Sequence, residues 1–242
     1  MLSALIKRLS GWLLAVPAAL ALPAVFAGFI GGLEAWWRSP GHLSLLPGLP
    51  VGVALAWAIS RWAHVLRTFE HELTHALVGL PFGLIPYGFI VTHHRGGLVK
   101  QFSIPLPLPF ALWPILGARV SGLAPYSIPL FALALTLFAP RSWVLLVGVA
   151  LGYHVYCKPG EIWSNLGWRS FEGPDGGEGH TDIAQSGYLL SLVLIPALAL
   201  ASYGVLFHAL ASGPSQGVAE WAHAVARGLG RTVAWAAAAL GW

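Results

Sequence analysis

The chain contains long apolar stretches in which no Asp, Glu, Lys or Arg occurs. Residues 9–33, 120–140 and 183–219 are all of this kind. A transmembrane helix needs about 20 consecutive, mostly apolar residues, because the hydrocarbon core of a bilayer is about 30 Å thick. These stretches are long enough to meet that requirement, so we expect a chain that is embedded in a membrane.

The composition supports this conclusion and excludes other classes of protein. Of the 242 residues, 57% are hydrophobic and 9% are charged, whereas soluble domains have about 45–50% apolar and about 25% charged residues. A disordered chain is excluded as well, because disorder requires low hydrophobicity. The net charge of +4 is spread along the chain, so no nucleic acid is expected as a partner. The single cysteine, Cys157, excludes an intrachain disulfide and a cysteine-based zinc ribbon.

Five segments are predicted to form transmembrane helices. They are residues 12–33, 51–80, 120–138, 143–156 and 188–210. The first segment also resembles a secretory signal peptide, because Lys7 and Arg8 precede its apolar run. We expect it to remain uncleaved, since the run is longer than the core of about 7–15 residues that signal peptides have.

Two further segments complete the predicted fold. Residues 88–104 alternate β-branched and aromatic residues around two glycines, which predicts a β-hairpin with His93 and His94 solvated at its tip. Residues 218–242 have apolar residues at helical spacing, which predicts a helix at the membrane interface. The predicted fold is therefore a single all-α membrane domain over 1–242, with about five or six transmembrane helices and a short β-hairpin near its active site.

Loop Lys and Arg residues predict the orientation of the helices, because cytoplasmic loops carry an excess of them. With Lys7 and Arg8 in the cytoplasm, the second helix returns there near Gly79, and residues 81–119 are cytoplasmic. The third and fourth helices then form a hairpin, which brings the chain back to the cytoplasmic side for residues 158–186. Both polar loops are therefore expected on the same face of the membrane.

The most informative motif lies in the second predicted helix, where His71 and His75 flank the sequence Glu-Leu-Thr. Positions i and i+4 lie on one face of a helix, so both imidazoles can reach one cation with Glu72 beside it. This spacing suits zinc, with Glu72 as the general base. The alternative is a polar patch at a helix end, which the preceding apolar run disfavours, since ionisable groups at membrane depth usually face the bundle interior. Arg67 and Glu70, three residues apart, are expected to pair.

A catalytic zinc site usually has three protein ligands and a water, so a third ligand must come from elsewhere. The shared membrane face limits the search to residues 81–119 and 158–186. Glu178, His180 and Asp182 directly precede the fifth helix. Asp182 is the preferred ligand because it lies at the helix entrance, where packing can fix its geometry. His180 and Glu178 stay open as alternatives, and Asp182 could instead interact only with the helix dipole.

These residues resemble those of the site-2 protease family of intramembrane zinc metallopeptidases, in particular its small, minimal bacterial branch. The resemblance rests on H-E-L-T-H in a predicted transmembrane helix, a Gly-containing hairpin after it, and an Asp at the start of a later transmembrane helix. It implies three zinc ligands and one residue that activates water, which are His71, His75, Asp182 and Glu72. The chain departs from the family because Ile183 stands where Gly usually follows the Asp, and because an Asn-x-x-Pro element is missing.

The leading hypothesis is an intramembrane zinc metalloprotease that hydrolyses a peptide bond of a membrane-protein substrate near the cytoplasmic face. In this hypothesis Zn²⁺ is the cofactor and Glu72 activates a zinc-bound water. The expected partners are membrane lipids and a transmembrane protein or peptide substrate, and the expected location is a bacterial cell membrane, as a multi-pass protein. Two alternatives stay open: a catalytically silent zinc-binding membrane protein with a structural or partner-binding role, and a small transporter. The oligomeric state is not predicted.

Overall fold

The structure is a computed structural model of the chain, and helices dominate the part that it describes. The described residues are 2–39, 41–92, 96–105, 107, 110–166, 170–172 and 178–239. The helices are α1 (Leu2–Arg38), α2 (Gly48–Ala58), α3 (Ser60–Gly79), α4 (Trp113–Leu123), α5 (Leu130–Phe138), α6 (Val144–Asn165), α7 (Asp182–Ser186), α8 (Tyr188–Ser212) and α9 (Pro214–Ala239). The strands are β1 (Leu84–Val91), β2 (Gly97–Ser103), β3 (Ser170–Glu172) and β4 (Glu178–His180). The mainly helical class is confirmed, and a second small strand pair, β3 with β4, adds to it.

The described residues fall into two compact units, and each is described by itself. The first unit is formed by Met1–Ala15, Leu55–Ile128 and Tyr156–Ile195. The second unit is formed by Val16–Ala54, Pro129–Val155 and Pro196–Trp242. Both units are discontinuous in sequence, because α1, α2, α6 and α8 each contribute residues to both. The single domain over 1–242 stays a prediction.

Two helical segments among the described residues are long and apolar enough to cross a membrane, Gly11–Arg38 and Tyr188–Ser212. They correspond to the first and the fifth predicted helix. A third span is added if Trp113–Tyr126 and Leu130–Phe138, which are bent by 93° at their junction, are counted as one. These spans are consistent with a membrane protein, but the prediction of five or six transmembrane helices is too high for the part of the chain that is described.

Polar side chains and a proline explain why the other predicted spans do not qualify. The second predicted helix, 51–80, is divided between α2 and α3, and α3 carries several ionisable side chains in its second half. Helix α6 extends well beyond the predicted 143–156, but the extension brings in a lysine and a glutamate. The third predicted helix, 120–138, is interrupted before α5 at Pro129, since proline has no N–H to continue helical hydrogen bonding.

Strands β1 and β2 form the predicted hairpin. They pair antiparallel, with Val91 opposite Gly97 at the turn end. Gly96 has a φ of 77°, a left-handed conformation that favours glycine in such a turn. The hairpin predicted over 88–104 is confirmed, and its first strand begins earlier, at Leu84. The two residues predicted at the hairpin tip, His93 and His94, lie outside the described part of the chain.

Helix α9 covers the described part of the predicted 218–242 segment and begins earlier, at Pro214. Its polar residues include Arg227 and Arg231, which lie four residues apart and therefore on one side of the helix. The location of this helix at a membrane interface stays a prediction.

Candidate metal centre

The H-E-x-x-H motif lies on α3, in the first unit. Because residues four apart share a face of a helix, the rings of His71 and His75 lie together, with 4.6 Å between their centroids. Thr74, inside the motif, is fully buried and donates a hydrogen bond of 2.7 Å to the carbonyl of Glu70. The helix therefore accommodates this hydroxyl without leaving it unpaired.

Asp182 reaches both imidazoles from the start of α7. Its Oδ2 atom lies 3.1 Å from Nε2 of His71 and 3.4 Å from Nε2 of His75. The position of Asp182 is set locally, because the Thr181 side chain accepts the hydrogen bond that caps α7. Thr181 also donates to the carbonyl of Asn165 at 3.0 Å, which ties α7 to the end of α6.

The structure thus brings together the two motif histidines and the preferred third residue. Each of the three residues can offer one atom to a metal ion, and these three atoms lie within 4.8 Å of one another. The two alternative third ligands, Glu178 and His180, lie on β4, and their side chains are outside the described part of the structure. Arg67 and Glu70 are predicted to pair with each other, but each has another partner. Arg67 contacts His64 at 2.7 Å, and Glu70 contacts Lys158 of α6.

The hydrogen bonds of the two rings decide where their protons lie. Nδ1 of His71 faces the carboxylate of Glu161, and Nδ1 of His75 lies 2.9 Å from the carbonyl oxygen of Ser121. Both partners accept hydrogen bonds, so each Nδ1 carries a proton and donates it. Both Nε2 atoms face Asp182. Burial lowers the pKa of His71, but its hydrogen bonds to Asp182 and Glu161 outweigh burial and raise this pKa to about 10. Without a metal ion, Nε2 of His71 therefore carries a proton that it donates to Asp182, and a metal ion would take the place of that proton.

This donor set fits a metal ion. Two imidazole nitrogens and one carboxylate oxygen are ligands that zinc accepts, and three protein ligands leave a fourth position open, as catalytic sites require. Each histidine is also anchored through its second nitrogen, as metal-binding histidines almost always are. The three residues could therefore hold a metal ion, and zinc is one of the divalent transition metals that bind such ligands.

Glu72 lies beside this trio and is held by the hairpin. Its side chain is 6% exposed, and its carboxylate accepts a hydrogen bond from the backbone N–H of Val99 on β2. It lies close enough to His71 and His75 to interact with them electrostatically. Gly97, also on β2, packs directly against it. The carboxylate is therefore fixed next to the three candidate ligands without being one of them.

Two residues near the trio carried no signal in the sequence. The hydroxyl of the buried Tyr126 lies 3.3 Å from Oδ2 of Asp182 and can donate to it. Its ring also packs edge-on against His71, with 5.3 Å between the centroids. Glu161 on α6 holds His71 from the other side, although 90 residues separate the two in sequence. Neither residue belongs to a recognisable motif, so only the fold reveals them.

Both carboxylates that contact His71 are held in their ionised form. Burial raises the pKa of Asp182, but the neighbouring His75 and His71 outweigh burial and hold this pKa far below its usual range. Burial likewise raises the pKa of Glu161, but the hydrogen bond from His71 and the charge of Lys158 lower it to about 2. At neutral pH both groups are therefore acceptors, as the proton positions in the rings require.

Comparison of the chain with protein-family models, with curated proteins and with solved structures finds no match. The family resemblance therefore rests on the motif residues, and the geometry described above stands beside it as an independent observation.

Proposed function

We propose that this chain is an intramembrane zinc metallopeptidase of the site-2 protease kind, with His71, His75 and Asp182 as the zinc ligands and Glu72 as the catalytic base. The observation that carries the proposal is the convergence of the Nε2 atoms of His71 and His75 and one carboxylate oxygen of Asp182 at a point beside Glu72. Two imidazole nitrogens and a carboxylate oxygen are the protein ligands of many catalytic zinc sites, in which the fourth position is open.

Zinc at these atoms would supply a Lewis acid that polarises a carbonyl and makes water a nucleophile near neutral pH. Glu72 accepts the proton of the attacking water and then donates it to the amine that leaves the cleaved peptide bond. Val99 donates a hydrogen bond to the Glu72 carboxylate, which fixes its orientation before the substrate arrives. The buried location of Glu72 excludes bulk water from this proton transfer.

The substrate is a membrane protein or the membrane-bound remnant of one. A transmembrane segment must leave its helical form before its peptide bond can be attacked, and the β1–β2 hairpin lies against Glu72. A strand edge can hold an extended peptide by main-chain hydrogen bonds. We place the site near the cytoplasmic face of a bacterial cell membrane, in accord with the orientation that the loop charges predict.

A zinc-binding protein without turnover is the main competing function. Structural zinc sites are usually closed by four protein ligands, whereas the group found among the described residues has three members. The neighbouring carboxylate of Glu72, which coordination does not need, also favours catalysis over a structural role.

The substitution Glu72→Gln tests the proposed function. The purified chain is reconstituted with zinc, its metal content is determined, and hydrolysis of dye-labelled β-casein, an unfolded general substrate, is followed in detergent. We expect Glu72→Gln to retain its zinc but to lose activity by about 10²- to 10⁴-fold, the contribution typical of a positioned general base. Glu220→Gln, which changes a carboxylate of the second unit, is the matched control and keeps full activity.

Undiminished hydrolysis by Glu72→Gln contradicts the assignment of the base. A zinc-loaded chain that cleaves neither β-casein nor a reconstituted single-span membrane peptide supports the silent zinc-binding alternative instead.

A further inference from the structure

One lysine and two glutamates are buried together between α3 and α6. Nζ of Lys158 lies 3.1 Å from Oε2 of Glu161 and 3.5 Å from Oε2 of Glu70. The residues are only 3%, 6% and 1% exposed, in that order. Lys and Glu are almost never buried to this degree unless they are paired, and an apolar packing of similar volume is often more stable than a buried ion network. Packing alone therefore does not account for this cluster.

The cluster is connected to the candidate metal centre through the two oxygens of one carboxylate. Oε1 of Glu161 accepts the hydrogen bond from Nδ1 of His71, while Oε2 accepts from Lys158. Glu70, which also contacts Lys158, directly precedes His71 on α3. Lys158 therefore joins the helix that carries His71 to the carboxylate that orients its ring.

The two histidines are anchored in chemically different ways. Nδ1 of His75 donates to the backbone carbonyl of Ser121, which is neutral. The hydroxyl of Ser121 donates to the backbone carbonyl of His75 at 2.9 Å. His71 donates to an ionised carboxylate, and a hydrogen bond to a charged acceptor is roughly twice as strong as one between neutral groups. A carboxylate behind an imidazole also makes its other nitrogen a more basic ligand.

We propose that Glu161 is a positioning residue of the metal centre, held in place by Lys158 and Glu70, and that it sets the affinity of His71 for the metal. The inference rests on the metal site of the proposed function, but not on its proteolytic activity. Glu161 keeps the proton of His71 on Nδ1 and turns Nε2 toward Asp182. Lys158 balances part of the negative charge of Glu161 and Glu70.

The test measures metal affinity and the spectrum of the metal, and does not depend on turnover. Zinc affinity of the full-length chain in detergent is determined by competition with a chelator, and the absorption bands of the Co²⁺-substituted protein report the ligand geometry. We expect Glu161→Ala to weaken zinc binding by about 10- to 100-fold, the range for partners of metal-binding histidines, and to shift the Co²⁺ bands. Glu161→Gln, which keeps an acceptor oxygen but removes the charge, falls between Glu161→Ala and the unsubstituted chain.

Glu220→Gln is the matched control, because Glu220 also faces a histidine, with 3.5 Å between its Oε2 and Nδ1 of His208. That pair lies in the second unit, so its loss leaves zinc affinity and the Co²⁺ spectrum unchanged. A lone change at position 161 removes the 3.1 Å partner of the buried Lys158 and leaves its longer, 3.5 Å contact with Glu70. The triple substitution Glu70→Gln, Lys158→Met and Glu161→Gln avoids this problem, since it removes every charge of the cluster together.

We expect the triple variant to fold and to show the same loss of zinc affinity as Glu161→Gln. Unchanged affinity and unchanged Co²⁺ bands in Glu161→Ala and in the triple variant overturn the inference. If Glu161→Ala weakens zinc binding while the unsubstituted chain cleaves nothing, the inference stands and the proposed protease function falls. If Glu72→Gln abolishes cleavage and substitutions at position 161 leave metal binding unchanged, the proposed protease function stands and the inference about Glu161 falls. A chain that binds neither Zn²⁺ nor Co²⁺ contradicts both.

Discussion

Gly97 on β2 lies directly against Glu72 of the candidate site. A Cβ atom at this position would lie 2.4 Å from Cγ and 2.6 Å from Oε1 of Glu72. Gly97→Ala therefore has to displace the Glu72 side chain from the hydrogen bond that Val99 donates. A displacement of about 1 Å at a catalytic group can lower the rate by about 100-fold. We expect a loss of this size in β-casein hydrolysis, with zinc content unchanged because the displaced side chain, Glu72, is not one of the three candidate ligands.

Gly88→Ala is the control within the same hairpin. The three atoms nearest to a Cβ there belong to Lys100, the closest being its Cβ at 3.3 Å, and none belongs to Glu72, so this variant keeps its activity. Full activity of Gly97→Ala would show that the Glu72 carboxylate tolerates displacement, and would contradict the view that β2 fixes the base.

The residues of the candidate site differ in how far the sequence predicts them. His71, Glu72 and His75 are predictable because one helical turn brings them together, whatever the rest of the fold is. Asp182 follows less directly, from the requirement for a third ligand on the same membrane face. Glu161 is not predictable, because its contact with His71 depends on how α6 packs beside α3, and a glutamate near a helix end is usually a solvated residue.

At the scale of helices, the second unit contains a close contact between α2 and α6 that was not predicted from the sequence. Gly48 and Gly52 on α2 face Gly148 and Gly152 on α6, so each helix presents a G-x-x-x-G pattern to the other. A Cβ atom on Gly52 would lie 2.1 Å from the carbonyl oxygen of Val149. Small residues at this spacing allow helix backbones to approach closely in membranes, where packing rather than hydrophobic burial drives association.

This contact predicts that Gly52→Ala destabilises the second unit. The new methyl group overlaps a backbone oxygen that cannot move without its helix, and such overpacking typically costs about 1–3 kcal/mol. Gly230→Ala is the control, since no atom lies within 4 Å of a Cβ at that helical position, and alanine favours a helix over glycine by about 1 kcal/mol. Thermal unfolding in detergent should show a lower midpoint for Gly52→Ala and an equal or higher one for Gly230→Ala. Equal midpoints for Gly52→Ala and the unsubstituted chain would contradict this packing.

Apolar runs predict where helices occur here, but not where they break. The runs that became α1 and α8 have no competing polar groups, so the sequence locates them well. The segment 51–80 reads as one helix because its first half is apolar, yet α2 ends at Ala58 and α3 begins at Ser60. α3 then carries the ionisable residues of the metal centre. The charged residues of the site therefore interrupt the apolar run by which a membrane span is recognised in a sequence.

At the scale of the whole molecule, the metal centre joins segments that are far apart in sequence. His71 and His75 lie on α3, Glu161 on α6 and Asp182 on α7, and all belong to the first unit. The contact of Asp182 with both histidines brings residues 158–186 and α3 together, and their location on one face of a membrane stays a prediction. A metal at this point would act as a cross-link within the first unit.

Removal of the metal should therefore loosen the first unit and leave the second unchanged. A metal that binds only the folded state stabilises it by about 2.7 kcal/mol at a concentration 100-fold above its dissociation constant, so chelation should lower the unfolding midpoint. Hydrogen exchange provides the local measurement, because the cation would link His71 and His75 on α3 to Asp182 on α7. We expect chelation to accelerate exchange in α7, while α5, in the second unit, exchanges at the same rate with and without metal. Asp182→Asn should exchange rapidly in α7 under both conditions. Equal rates in α7 before and after chelation of a zinc-loaded chain would show that Asp182 is not bound to the metal.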